Sequence, residues 1–233
     1  MSAATASPPV AQPGPMDLVR LVTRFNLHPE SGLHPSWLPA SWPARHRVPS
    51  RYGPAGRAVL AELLQRRQAG AAGTASGLDF QFDSRLKRLV LMDATSLRRL
   101  AAYMGFSVHL PLFKQRGGAG AQLRRQARRY DDDAVDFMLD RVPHLSELQM
   151  DHQPLLQRPL CAGRVAVQRG HRLLLGAAAP EGEAVLRRLQ HKLPRRVSEL
   201  GVPVLQPRQL QQLHELMLLC IVPERLPQWD WLF

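Results

Sequence analysis

The stretch MDATSLRRLAAYMGFSVHL, Met92 to Leu110, decides how the rest of the chain is read. Asp93 stands one position before an apolar periodicity, where a carboxylate accepts the unpaired N–H groups of a first helical turn. Leu97, Leu100, Ala101 and Met104 fall at i, i+3, i+4 and i+7, the spacing of one helix face. Gly105 reads as the C-terminal stop, and Arg98 and Arg99 point to water. No acid, base, nucleophile or ligand cluster interrupts the pattern. This is a packing helix, with Leu100 expected in the core.

Working outward, MDLVRLVTRFNL (Met16 to Leu27) carries Leu18, Val19, Leu21, Val22 and Phe25 on helical spacing, with Asp17 as a capping candidate. The six prolines between His28 and Pro54 stop any long helix, so that segment reads as an ordered loop or a string of turns. AGRAVLAELLQRR (Ala55 to Arg67) predicts a helix with Val59, Leu60, Leu63 and Leu64 on one side. LDFQFDSRLKRLVLM is ambiguous: Phe80 and Phe82 alternate like a strand, whereas Leu86, Leu89 and Val90 suit a helix. Downstream, helices are predicted in Ala121 to Tyr130, in DDDAVDFMLDRVP up to Pro143, in Ala162 to Ala178, in Glu181 to Pro194 and in Arg208 to Val222. Val135, Met138, Leu139 and Val142 form the apolar face of the second of these, and Leu210, Leu213, Met217 and Ile221 that of the last.

The expected fold is therefore mainly α. It is a single compact helical domain over residues 16–233, with an irregular Pro-rich N-terminal segment and at most a small strand element. Residues 1–15 are Ala, Ser and Pro with little apolar bulk and read as a disordered tail. Residues 68–77, QAGAAGTASG, read as a flexible internal linker.

At 233 residues and 45% hydrophobic content the chain can build a core without staples. Its two cysteines, Cys161 and Cys220, fit no disulfide framework and no metal spacing. No apolar run approaches the ~20 residues of a membrane span, and the N-terminus has neither the basic nor the apolar part of a secretory signal. The expected location is the cytoplasm.

Net charge is +12, almost all of it arginine. Such a chain invites a nucleic-acid reading. The arginines are spread along the chain, which also fits helix faces solvated by an Arg-rich coding bias. Arg124, Arg125, Arg128 and Arg129 are the sharpest charge feature: i,i+4 pairs that place a basic face on one helix. Either that face meets phosphate or an acidic protein surface, or it is solvated and partly neutralised by Asp131, Asp132 and Asp133 just downstream. The three aspartates themselves read as a helix-start cap rather than a metal site, because adjacent residues point in different directions. RGGAGA (Arg116 to Ala121) fails both phosphate-loop patterns and reads as a flexible turn. The histidines are scattered, and His214-Glu215 lacks the second histidine of a zinc-protease motif. All four tryptophans sit in two Pro-flanked motifs, SWLPASW (Trp37, Trp42) and QWDWLF (Trp229, Trp231, ending at Phe233). Tryptophan anchors cores and interfaces alike, so both readings stand. They are expected against or beside each other on one surface. No catalytic, cofactor-binding or metal-binding residue is assigned.

Four segments, in order, resemble the type III secretion sorting-platform adaptor family (SctK/YscK-type). They are RFNLHPESGLHPSWLP, LVLMDATSLRRLAAYMGFSVHL, RVAVQRGHRLLLGAAAPEGEAVLRRLQHKLP and LMLLCIVPERLPQWDWLF. The resemblance implies a non-enzymatic cytoplasmic protein at the cytoplasmic face of the inner membrane, held there by protein contacts and not inserted in the bilayer. Its implied partners are the cytoplasmic domain of the inner-membrane ring protein and the pod protein of the sorting platform, and through the pod the stator and ATPase. It implies no cofactor and no specific nucleic acid. The family supplies no short binding motif, so Arg124, Arg125, Arg128, Arg129, Trp37, Trp42, Trp229, Trp231 and Phe233 are partner-binding candidates on their chemistry alone. The rival readings are a basic nucleic-acid-binding protein and a hydrolase with an unrecognised site.

Overall fold

The computed structural model describes residues 14–72 and 78–233. The tail reading lies outside these residues up to 13, and the linker reading lies outside them at 73–77. Helix accounts for 69% of the described residues, which contain no strand.

Helix α1 (Pro15–Leu27) opens on a proline, whose missing N–H is one a first turn leaves unpaired anyway. Asp17 closes that turn by accepting from the Gly14 N–H at 3.0 Å. The Pro-rich segment that follows is a string of 3-10 turns at Pro35–Trp37, Ala44–His46 and Pro49–Arg51, as its six prolines predict. Helix α2 (Pro54–Ala72) continues through residues 68–72 of the expected linker. Only Leu60 and Leu64 of its four predicted apolar positions are buried, in a small satellite core with Leu33 and Leu38, while Val59 and Leu63 face solvent.

The ambiguous stretch resolves as helix in its second half, and the strand reading of Phe80 and Phe82 is not borne out: Phe80 is exposed and Phe82 buried. Residues 78–83 form neither helix nor strand; the Asn26 side chain bonds the Asp79 N–H and carbonyl at 2.7 and 2.8 Å, and Ser84 then caps α3 (Arg85–Arg88), which runs on into a 3-10 turn at Leu89–Leu91. Asp93 starts α4 (Ala94–Ser107), accepting from the N–H groups of Thr95 and Ser96 at 2.8 and 2.9 Å. Burial pushes the Asp93 carboxyl upward, but bonds from Ser96 and Thr95 and the nearby Lys192 hold it below its usual range. Leu97, Leu100, Met104 and Phe106 have no exposed surface.

After α5 (Leu110–Phe113), α6 (Gly118–Ala127), α7 (Ala134–Asp140) and α8 (Gln153–Gln157) comes α9 (Ala162–Ala178), the second central helix. Here the reading of Gly105 as a stop is corrected: α4 runs past it to Ser107. A Cβ on Gly105 would lie 2.0 Å from the Ala166 carbonyl oxygen, and one on Gly170 would lie 1.7 Å from that of Ala101. The glycine is there because two helix backbones touch, not because the helix ends. In α7, Phe137 rather than the 39% exposed Leu139 completes the buried face.

Helices α10 (Glu183–Lys192), α11 (Arg195–Glu199) and α12 (Pro207–Glu215) follow. The last widens into a π-helical turn at Leu216–Ile221 before α13 (Val222–Arg225). Pro223 has no N–H for an α-helical bond, and the widened turn precedes it directly. Leu213, Met217 and Ile221 are buried along one stripe, with Leu210 at its edge. The chain closes in a 3-10 stretch at Pro227–Leu232.

Candidate interaction surface

The two tryptophan motifs brace different helix ends and do not stack on each other. The Trp37 Nε1 donates to the carbonyls of Gln190 and Leu193 at 3.1 and 3.0 Å, and its ring meets His191 edge-on at 4.9 Å. The His34 N–H donates to the His191 carbonyl at 2.7 Å, and the Arg195 N–H to Ser36 Oγ at 2.8 Å. The Pro-rich segment thus satisfies groups that the end of α10 and the start of α11 would leave unpaired. Trp42 is 40% exposed. Trp229 Nε1 donates to Ser96 Oγ at 2.9 Å, on the first turn of α4. Trp231 bonds locally to the Gln228 carbonyl at 3.0 Å, and it and Phe233 pack half-buried against the core. Trp37 and Trp229 are therefore structural, and Trp42 is the most open of the candidate aromatics.

The four arginines do not share one helix face. Helix α6 ends at Ala127, so Arg128 and Arg129 lie beyond it. Arg124 turns inward and donates to the Phe113 and Gln115 carbonyls, closing the end of α5. Arg125, Arg128 and Arg129 are exposed. The downstream aspartates neither neutralise them nor cap α7 with their side chains. Asp131 accepts from Arg99 and from the Tyr103 hydroxyl, and burial with this carboxylate raises the Tyr103 pKa. Asp133 pairs with Arg225 at 2.6 Å, whose guanidinium lies 4.3 Å from the Phe137 ring. Two of the three acids tie α7 to α4 and α13.

A feature that the sequence reading missed lies where α9 passes the ends of α6 and α11. Arg129, Arg164 and Arg196 border a hollow of ≈ 260 Å³ with His171 in its wall. A second hollow, of ≈ 460 Å³, shares Arg164, Gln168 and Arg196 with the first and is also lined by Arg158, Cys161 and Val165. Neither part is lined by an acidic or an aromatic residue other than the imidazole. Arg129, Arg158, Arg164 and Arg196 form no ion pair among the described residues. A signal existed: from His152 to Pro180 the chain carries Arg158, Arg164, Arg169 and Arg172 and no Asp or Glu. A search for dense charge runs passes over it, because the arginines converge only across the helix.

On another side, α1, the Pro-rich segment and the start of α4 enclose a hollow of ≈ 850 Å³. Lys192 forms part of its wall. Its stem passes Gly32, where a Cβ would lie 3.5 Å from Cγ, and its Nζ donates to the Val90 and Met92 carbonyls. Burial first, then Arg188 and Arg24, pull its pKa down to about 7. This lysine closes the 3-10 turn before α4.

His109 is fully buried, with one ring nitrogen 3.0 Å from His152 and the other 3.1 Å from Arg169. Among the described residues no group of three or more His, Cys, Asp or Glu could hold a metal ion. The chain matches no protein-family model, no curated protein and no solved structure.

Proposed function

We propose that this chain is a non-enzymatic adaptor of a bacterial type III secretion system. It bridges the cytoplasmic domain of the inner-membrane ring protein to the pod protein of the sorting platform, with stator and ATPase reached only through the pod. The observation that carries the reading is the division of labour on the surface. The Pro-rich segment and the tryptophan tail brace the helical body, while Arg129, Arg158, Arg164 and Arg196 stand without ion pairs among the described residues, available to other chains. The four segments that resemble the adaptor family supply the system. A seat at the membrane face is proposed through protein contacts, in keeping with the lack, among the described residues, of a helix long and apolar enough to cross a bilayer.

The test is reconstitution with the ring protein's cytoplasmic domain and the pod protein of one type III-bearing bacterium. A ternary complex that depends on this chain is expected; binding to neither protein overturns the reading. A second reading, a basic nucleic-acid-binding protein, draws on the +12 charge and the acid-free hollow. It requires affinity that falls steeply with salt, as phosphate contacts release counterions.

A further inference from the structure

We propose that the arginine-bordered cleft between α6, α9 and α11 is a docking groove for an acidic segment, dotted with apolar residues, of a protein partner. The proposal rests on the adaptor reading for the origin of that segment, and on the cleft alone for its chemistry.

Charge comes first. Arg129, Arg164 and Arg196 arrive from three different elements and converge without a carboxylate between them. Like charges held this close destabilise the free protein slightly, and an anion relieves them. Guanidinium groups suit this, since their planar forks bind carboxylates in pairs of hydrogen bonds.

An independent observation comes from the wall of the cleft. His171 is 94% buried, 6% exposed, and its Nε2 has no hydrogen-bond partner. A buried polar atom without a partner costs free energy, and this one belongs to a residue that lines the cleft. Burial, with Arg98, Arg196 and His34 around it, pulls the ring down to about 4, so it is neutral at physiological pH. Nε2 itself has almost no accessible surface, so recognition of an occupant rests on the arginines around it.

Shape and lining choose the class of occupant. The two hollows share Arg164, Gln168 and Arg196 in their walls, so together they offer more surface than a single small ion covers. Val165 in one hollow and Val167 in the other are half-buried and offer apolar contact. Nucleic acid is disfavoured because no Phe, Tyr or Trp lines the groove to stack a base. A peptide that alternates carboxylates with aliphatic side chains matches both the charges and the apolar floor.

The experiment is fluorescence anisotropy with the full chain and a short labelled peptide of repeating Glu-Leu-Glu-Ala units. A second arm uses a labelled single-stranded oligonucleotide, and a third uses inorganic phosphate as competitor. Charge reversal in the groove, Arg164→Glu with Arg196→Glu, is compared with reversal outside it, Arg116→Glu with Arg208→Glu. All four side chains are exposed, so folding is expected to survive; the milder Arg164→Gln with Arg196→Gln stands in if it does not. The expected result is peptide binding weakened about tenfold or more by the groove pair and little changed by the outer pair. Equal loss from both pairs means a diffuse charge effect and overturns the proposal, as does no peptide binding. Tighter oligonucleotide binding lost with the groove pair, or displacement of the peptide by phosphate at equal potency, also overturns it. Because the probe is synthetic, these outcomes are independent of whether the ring and pod proteins bind.

Discussion

Trp229 and Ser96 join the end of the chain to the first turn of its central helix. The indole donates to Ser96 Oγ, and that hydroxyl donates to the capping carboxylate of Asp93 at 2.6 Å. Arg88 adds a second tie by donating to the Leu232 carbonyl at 3.1 Å. Truncation after Pro227 removes both ties and the buried Leu232. Loss of the buried Leu232 with the half-buried Trp229 costs ~3–5 kcal/mol, and at ~2–4 °C per kcal/mol for a chain of this size the melting temperature should fall by roughly 10 °C. Thermal denaturation followed by circular dichroism checks this; an unshifted transition means the tail braces nothing.

Gly170→Ala is expected to destabilise the protein, against the ~1 kcal/mol that alanine ordinarily gains over glycine inside a helix. The new Cβ meets carbonyl backbone, which cannot swing aside as a flexible side chain can. The helices must part, at ~1–3 kcal/mol or more for overpacking. Gly105→Ala should act in the same direction. Urea unfolding decides it: a midpoint at or above that of the parent chain would mean that the two backbones do not touch there.

Leu100→Asp should abolish the native fold. The side chain has no exposed surface, so the change combines ~2–5 kcal/mol of lost packing with an unpaired buried carboxylate. Collapse of the helical circular-dichroism signal or insolubility is expected; an unchanged melting temperature would place this face of α4 in water.

Acid should weaken the fold through two histidines. Burial, with Arg169 and His152 nearby, pulls His109 down to about 3, and His171 sits at about 4. In the unfolded chain both return to ~6.5. The unfolded state therefore binds more protons between those values. Their contribution is fully present above pH ~6.5 and is lost as the pH falls toward 4 and then 3. His171→Leu should flatten the slope of stability against pH in this window; an unaltered slope would show that His171 titrates normally in the folded protein.

Much of the helical plan was legible because periodicity reports one-sided burial. Ala162–Ala178 stands where its spacing predicts a helix, and Asp93 caps where a capping residue is expected. The errors share one cause. Gly105 looks like a stop, and Asp131 to Asp133 look like a cap, when only local chemistry is weighed. Their actual partners, Ala166, Arg99 and Arg225, are remote in sequence. The same blindness hid the groove, whose arginines come from α9, α11 and the turn after α6. Arg124 shows the opposite failure: a residue read as free charge is occupied by two carbonyls.

The bonds from Trp37 to Gln190 and Leu193 bear on how the protein is made. The donor leaves the ribosome 153 residues before its first acceptor. At ~5–20 residues per second, the Pro-rich segment waits on the order of ten seconds or more before its docking site exists. During that interval its satellite core with α2 is already within its reach. A protease acting on the nascent chain would find this segment open, and then find it closed once α10 has emerged and folded.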